Sequence, residues 1–367
     1  GDTVVASQTV PAGKSQTAQR YTLELTSEDE GSQVYVVRIP GEADETVLQN
    51  NRRAFLVNKA EKSLDVLYIE GHPRNEYKFI RRALEGDKTL RLVTYLKTGP
   101  QKFLRQGIES PQELANGFPE KNEELYKFAA IVLGDISKSF FSADQLAMTR
   151  EFVSERGVGF LMLGGSTAFE VSFFDSPIAE VLPVTLSAQA QLPPQRRDGT
   201  GDDKFSLRLT PEGEHTAILR LGHGGANNRQ LWQKMPQLQG INVTGPAKPG
   251  ATVLAVHPTF SLDNEPLPVI AYERYGRGRS MVITTASTWR WQMLLPHKDL
   301  SHERFWRQVL RWLAVPAPSP VELILDKDSY GVGEQVNISA RVSDREYAPV
   351  NGARVWLKLT DSAGTLL

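Results

Sequence analysis

Val158-Gly159-Phe160-Leu161-Met162-Leu163-Gly164-Gly165-Ser166 is an apolar run that stops at two glycines and a serine. A strand buried on both faces reads this way, because neither face needs polar residues. The glycines then imply a tight turn at its carboxyl end. In open α/β sheets that edge is where ligands bind and nucleophiles sit. Before this strand, Val66-Leu67-Tyr68-Ile69 reads as a short buried strand, followed by a helix from Asn75 to Leu84 and a strand from Leu90 to Leu96. Phe128 to Leu133 is the next strand, ending at Gly134-Asp135. Ser142 is placed to cap the following helix, with Gln145 three residues on for a capping box and Gly157 to end it. Strands alternating with helices in this way predict an α/β fold with a doubly wound, mostly parallel sheet.

After the glycine turn, His215–Leu221, Ala251–His257, Leu267–Tyr275 and Arg279–Thr285 read as further strands, with Tyr275-Gly276-Arg277-Gly278-Arg279 as the turn between the last two. Residues 187–204 are polar and read as a surface loop. Ser301 to Leu313 is strongly amphipathic, with Phe305, Val309 and Trp312 at i, i+4 and i+7. The flanks differ. Alternating segments such as Tyr21–Leu25 and Val34–Ile39, and the strand after Asn50-Asn51, predict an immunoglobulin-like β-sandwich domain over residues 1–62. The α/β domain occupies 63–315. Pro316-Ala317-Pro318-Ser319-Pro320 is a stiff linker. Residues 321–367, with strands at Val321–Leu325, Asn337–Val342 and Arg354–Leu359, predict a partial immunoglobulin-like or macroglobulin-like domain.

The chain has 367 residues, which predicts two or three domains. Its 42 basic and 43 acidic residues give a formal net charge of −1, which predicts neither nucleic acid nor an anionic membrane as partner. No apolar run reaches the length of a membrane span. The first residues carry no signal-peptide pattern, and both ends fall inside patterned segments, so we expect a piece of a longer protein. Cysteine is absent, which removes disulfides, thiolate nucleophiles and Cys-ligated metals. Asn242-Val243-Thr244 and Asn337-Ile338-Ser339 match the glycosylation sequon, a motif short enough to arise by chance.

In a doubly wound sheet the parallel strands end at one edge, which would gather Glu70, His72, Arg74, Glu76, Asp135, Gly164, Gly165, Ser166 and Arg290 into a ligand crevice. Three chemistries fit such a set. Ser166 could be a nucleophile with His72 as base and Glu70 or Asp135 as orienting acid. The turn reads Gly-Gly-Ser-Thr-Ala, however, and not Gly-x-Ser-x-Gly, and a serine after two glycines is more often a helix N-cap. Glu70, His72 and Asp135 could hold a metal, although no paired His spacing supports it. A helix N-terminus after Gly164-Gly165, with Arg74 or Arg290, could hold an anion. Against all three, Arg74 with Glu76 or Glu70 with Arg290 could pair as plain edge salt bridges. His215, His223 and His257 read as surface or loop residues, and Glu303, beside His302, suits the start of a helix. Trp289, Trp291, Trp306 and Trp312 read as core or as a contact between domains.

Four groups of segments carry a family resemblance: Leu67–Phe79; Val132–Ile136; Phe160–Gly165 with Pro177–Val184; and Trp289-Arg290-Trp291 with His302–Arg307. Over residues 64–315 the chain resembles the glutamine amidotransferase-like (class I, flavodoxin-like) domain of bacterial membrane-anchored proteins. The resemblance implies that fold, an extracytoplasmic (periplasmic or cell-surface) setting, and neighbouring domains such as von Willebrand factor A. In true class I amidotransferases a Cys nucleophile sits on the elbow and a His-x-Glu pair follows a later strand. Here the elbow is Gly165-Ser166, and Met281–Thr285 runs into Ala286-Ser287-Thr288-Trp289. The resemblance therefore implies a domain without that activity, with no cofactor and no metal. Its partners would be proteins or other domains of the full-length chain, and any membrane contact would come through segments outside this sequence.

Overall fold

Strand Leu64–Glu70 (β1) is buried from Val66 onward, as the apolar run Val66–Ile69 predicts for all but the terminal Glu70. The computed structural model describes residues 4–9, 32–41, 51–58, 63–100, 102–186, 203–222, 225–262, 264–315, 321–325, 335–342, 350 and 352–356. The other strands of the same sheet are Leu90–Gly99 (β2), Lys102–Gln106 (β3), Ala130–Leu133 (β4), Gly159–Leu163 (β5), Arg208–Leu209 (β6), Thr252–Leu262 (β7), Glu265–Tyr275 (β8) and Gly278–Ile283 (β9). Their spatial order is β3-β2-β1-β4-β5-β9-β8-β7-β6. The five central strands, β2, β1, β4, β5 and β9, pair in parallel. β3 and β8 join their neighbours antiparallel, as do β7 and β6, so the sheet is parallel in its centre and antiparallel at both flanks.

Alternation along β1 assigns side chains to two cores. Val66 and Tyr68 pack with Tyr77 and Ile80 of helix Asn75–Ala83 (α1). Leu67 and Ile69 face the other way and pack with Leu146 of helix Ala143–Glu151 (α2). Ser142 caps α2 with the expected capping box: its hydroxyl accepts from Gln145 N–H at 3.1 Å, and its own N–H donates to Gln145 Oε1 at 3.0 Å. Gly157 ends the helical stretch in the left-handed conformation, at φ 88°. Two helices follow β9, Trp289–Leu294 (α3) and Ser301–Ala314 (α4). α4 buries Phe305, Trp306, Val309, Leu310 and Leu313 on the α1 side of the sheet. Trp291 and Trp306 are core residues, with Trp291 edge-on to Phe305 at 5.2 Å. Trp312 is half-buried against Tyr272 under Arg279, and Trp289 is half-buried beside Arg290.

Three sequence expectations are corrected. His215–Leu221 is not a strand: Pro211–His215 is a helix and Ala217–Leu219 a 3-10 turn. Pro211 sits at a helix start, and Thr210 and Thr216 cap the Gly213 and Ile218 N–H groups, so local chemistry outweighs the strand-like run. No helix begins at Ser166, because bends and turns occupy 165–169. Ala353–Trp356 forms no strand, since no described strand offers it a ladder, and Leu357–Leu359 lies outside the described residues.

The chain divides into Gly1–Ser63 and Leu64–Leu367. Among the described residues, the first unit contains one antiparallel pair, Ser32–Arg38 with Arg52–Asn58. The expected strand Tyr21–Leu25 lies outside the described residues, as do the 316–320 linker and residues 187–202 of the polar loop. Within the second unit, Val321–Leu325 pairs antiparallel with Ile338–Val342.

Candidate functional site

The carboxyl ends of β1, β4, β5 and β9 meet as the sequence predicts, and their polar groups are joined by hydrogen bonds. Asp135, just past β4, is 2% exposed. Its Oδ2 accepts from Ser166 N–H and Ser166 Oγ, both at 2.8 Å. Its Oδ1 accepts from Thr167 N–H at 2.6 Å, Thr167 Oγ1 at 2.7 Å and Ala168 N–H at 3.1 Å. The turn after β5 is therefore a nest of backbone N–H groups closed around one carboxylate. Burial works to raise the Asp135 pKa, but Arg74 and the bonds from Thr167 and Ser166 outweigh it and hold the group below the usual carboxylate value.

Glycine at 165 follows from the same contact. A Cβ there would lie 2.3 Å from Asp135 Cγ, so a side chain at 165 and the Asp135 carboxylate exclude each other. The turn is also clamped from behind by Asn242, which is 1% exposed. Its Oδ1 accepts from Gly165 N–H at 2.9 Å, and its Nδ2 donates to Gly165 O at 2.9 Å and Ala168 O at 3.0 Å. Asn242 is thus a structural clamp and not a surface glycan acceptor, whereas Asn337 of the other sequon is exposed.

Glu70 is fully buried at the end of β1. It accepts from Tyr68 Oη at 2.8 Å, Gly71 N–H at 3.2 Å, Asp135 N–H at 2.8 Å and Arg74 Nε at 2.9 Å. Arg74 also donates from Nη1 to Gly164 O at 2.7 Å, leaving buried Nη2 without a partner. The expected Glu70–Arg290 pair is absent: Arg290 Nε donates to Gln237 O. Glu76 does not pair directly with Arg74 either. It accepts from Thr288 Oγ1 at 2.6 Å and from the Thr288 and Trp289 N–H groups, so its carboxylate caps the start of α3. Its burial raises its pKa, and the Thr288 bonds offset only part of that.

His72 is half exposed, with Nε2 3.7 Å from Asp135 Oδ2. Ser166, Asp135 and His72 therefore do come together, but the carboxylate stands between hydroxyl and imidazole, and Ser166 Oγ is spent on Asp135. A serine nucleophile needs the imidazole on its hydroxyl and free N–H donors for the oxyanion. Both requirements are taken up by Asp135. Among the described residues, no group of three His, Asp or Glu side chains is placed to hold a metal. A depression of about 590 Å3 lies away from this edge, lined by Glu109, Glu113, Phe118, Glu120, Glu124 and Phe128 among others. Sequence reasoning missed Asn242 and Thr167 as members of this cluster. The Asn242 sequon drew attention to the right residue for the wrong reason.

Residues 108–315 match a family described as "Putative glutamine amidotransferase". No curated protein matches the sequence. Among solved structures, a cytoplasmic protein of Salmonella typhimurium overlays at 16% identity and a TM-score of 0.44, covering 78% of this chain and 97% of its own. A second, from Salmonella typhimurium LT2, gives 16% identity and a TM-score of 0.41 over 78% and 97%. A β-galactosidase from Rahnella sp. R3 gives 14% identity and a TM-score of 0.38 over 76% of this chain and 36% of the enzyme. The family match spans more than half of the chain, and the chain belongs to this glutamine amidotransferase-like family.

Proposed function

We propose that the α/β region is a non-catalytic amidotransferase-like domain that serves in binding or assembly. One observation carries this reading: the turn that would present a nucleophile and an oxyanion hole is filled by the chain's own Asp135 carboxylate. An acyl-transfer site needs those N–H groups free at the moment charge develops. The absence of cysteine and the closed space at Gly165 support the same reading. We further propose that the paired strands before and after the α/β region belong to immunoglobulin-like domains. In this reading the whole is the extracytoplasmic part of a membrane-anchored bacterial protein, and a cysteine-free composition is compatible with export.

The test is direct. The purified protein should release no ammonia from glutamine above buffer, and a fluorophosphonate probe should leave Ser166 unlabelled. Turnover of glutamine, or a covalent adduct on Ser166, would overturn the reading. For the setting, protease added to intact spheroplasts of the source bacterium should digest this region, and protection until lysis would place it inside the cell.

A further inference from the structure

The Ser166–Ala168 turn makes five donor contacts to a single carboxylate, three from backbone and two from hydroxyls. The donors are held by groups other than Asp135. Asn242 fixes the turn through Gly165 and Ala168, and Gly164 N–H donates to Ile283 O of β9 at 2.7 Å. Arg74, itself anchored to Gly164 O, adds positive potential. The receptor is thus built by β5, β9 and the Asn242 segment, while the carboxylate arrives from β4. We propose that this turn is a carboxylate-binding site in its own right, which the chain fills in cis with Asp135. Its ligand class is a small monocarboxylate, taken up when the Asp135 side chain is absent or withdrawn. The inference deepens the non-catalytic reading, which rests on the same plug.

Chemical rescue tests it, because the deleted atoms dictate which ligand fits. Asp135→Ala removes the carboxylate but keeps Cβ, leaving room for formate. Asp135→Gly removes Cβ as well, leaving room for acetate. Thermal unfolding is followed by circular dichroism while sodium formate or sodium acetate replaces sodium chloride at constant ionic strength. A ligand that binds only the folded state raises Tm by an amount that grows with the logarithm of its concentration once that concentration exceeds Kd. The expected result is a rise of roughly 3–6 °C at a salt concentration about ten times Kd or more, larger with formate in Asp135→Ala and larger with acetate in Asp135→Gly. The wild-type protein and Asp135→Asn, whose nests are filled, should respond to neither salt beyond the chloride control.

An equal response in all four proteins, or none in the two truncated variants, overturns the proposal. If Asp135→Ala is unfolded in chloride, refolding that depends on formate supports the proposal. Failure to refold at any formate concentration, while Asp135→Asn folds, overturns it. None of these outcomes bears on whether the wild-type protein turns over glutamine, so the two readings fail separately.

Discussion

Replacing His302 with leucine should make the protein less sensitive to acid. His302 is 1% exposed near the start of α4, edge-on to Phe79 of α1, and neither ring nitrogen has a hydrogen-bond partner. Burial disfavours the charged imidazole and pushes its pKa down to about 4. In the unfolded chain the value returns to about 6.5, so between those two values the unfolded state binds the extra proton. This contribution to stability is full above the unfolded pKa and is lost as pH falls toward the folded one. The linkage expression gives a loss of about 2 kcal/mol between pH 7 and pH 5, from a shift of roughly 2.5 units at 1.36 kcal/mol each.

Urea unfolding at pH 7, 6 and 5 measures this. Wild type and His302→Leu share every other titrating group, so the difference between their pH profiles isolates the imidazole. At pH 7 the variant should match or exceed wild type by about 1 kcal/mol, because an unpartnered polar group leaves the core. By pH 5 its advantage should have grown by about 2 kcal/mol. Parallel profiles would show that His302 protonates in the folded state without penalty, and would refute the reasoning.

Gly165→Ala forces a methyl group into the space held by Asp135 Cγ and should cost about 3 kcal/mol by denaturant unfolding. Asn242→Ala removes three buried side-chain hydrogen bonds and should cost about 2–4 kcal/mol by the same measurement. Expressed in a glycosylating host, the folded protein should show no glycan at Asn242 by peptide mass spectrometry. Arg74→Met leaves the fully buried Glu70 without its cation and should cost about 3 kcal/mol, whereas Lys298→Met at an exposed position should change stability by less than about 0.5 kcal/mol.

Most of the sheet was legible because its signals are local or periodic. Val66–Ile69 of β1, and β4 and β5, are unbroken apolar runs, the Ser142–Gln145 box marks a helix start, and Gly276 and Gly278 mark the β8–β9 turn. The error at His215–Leu221 arose where buried Ile218, Leu219 and Leu221 give the same apolar density as a strand. There the Pro211 start and the two threonine caps carried the better signal.

The sequence by itself determined the alternation of strands and helices, and hence which loops share the carboxyl edge, because backbone periodicity and capping act over a few residues. Only the tertiary structure decided what that edge does. Asp135 meets Ser166 across 31 positions and Asn242 meets Gly165 across 77. Each donor and acceptor there could have found several partners. Which pairing forms depends on strand order and on the close approach that Gly165 permits, neither of which a linear pattern encodes.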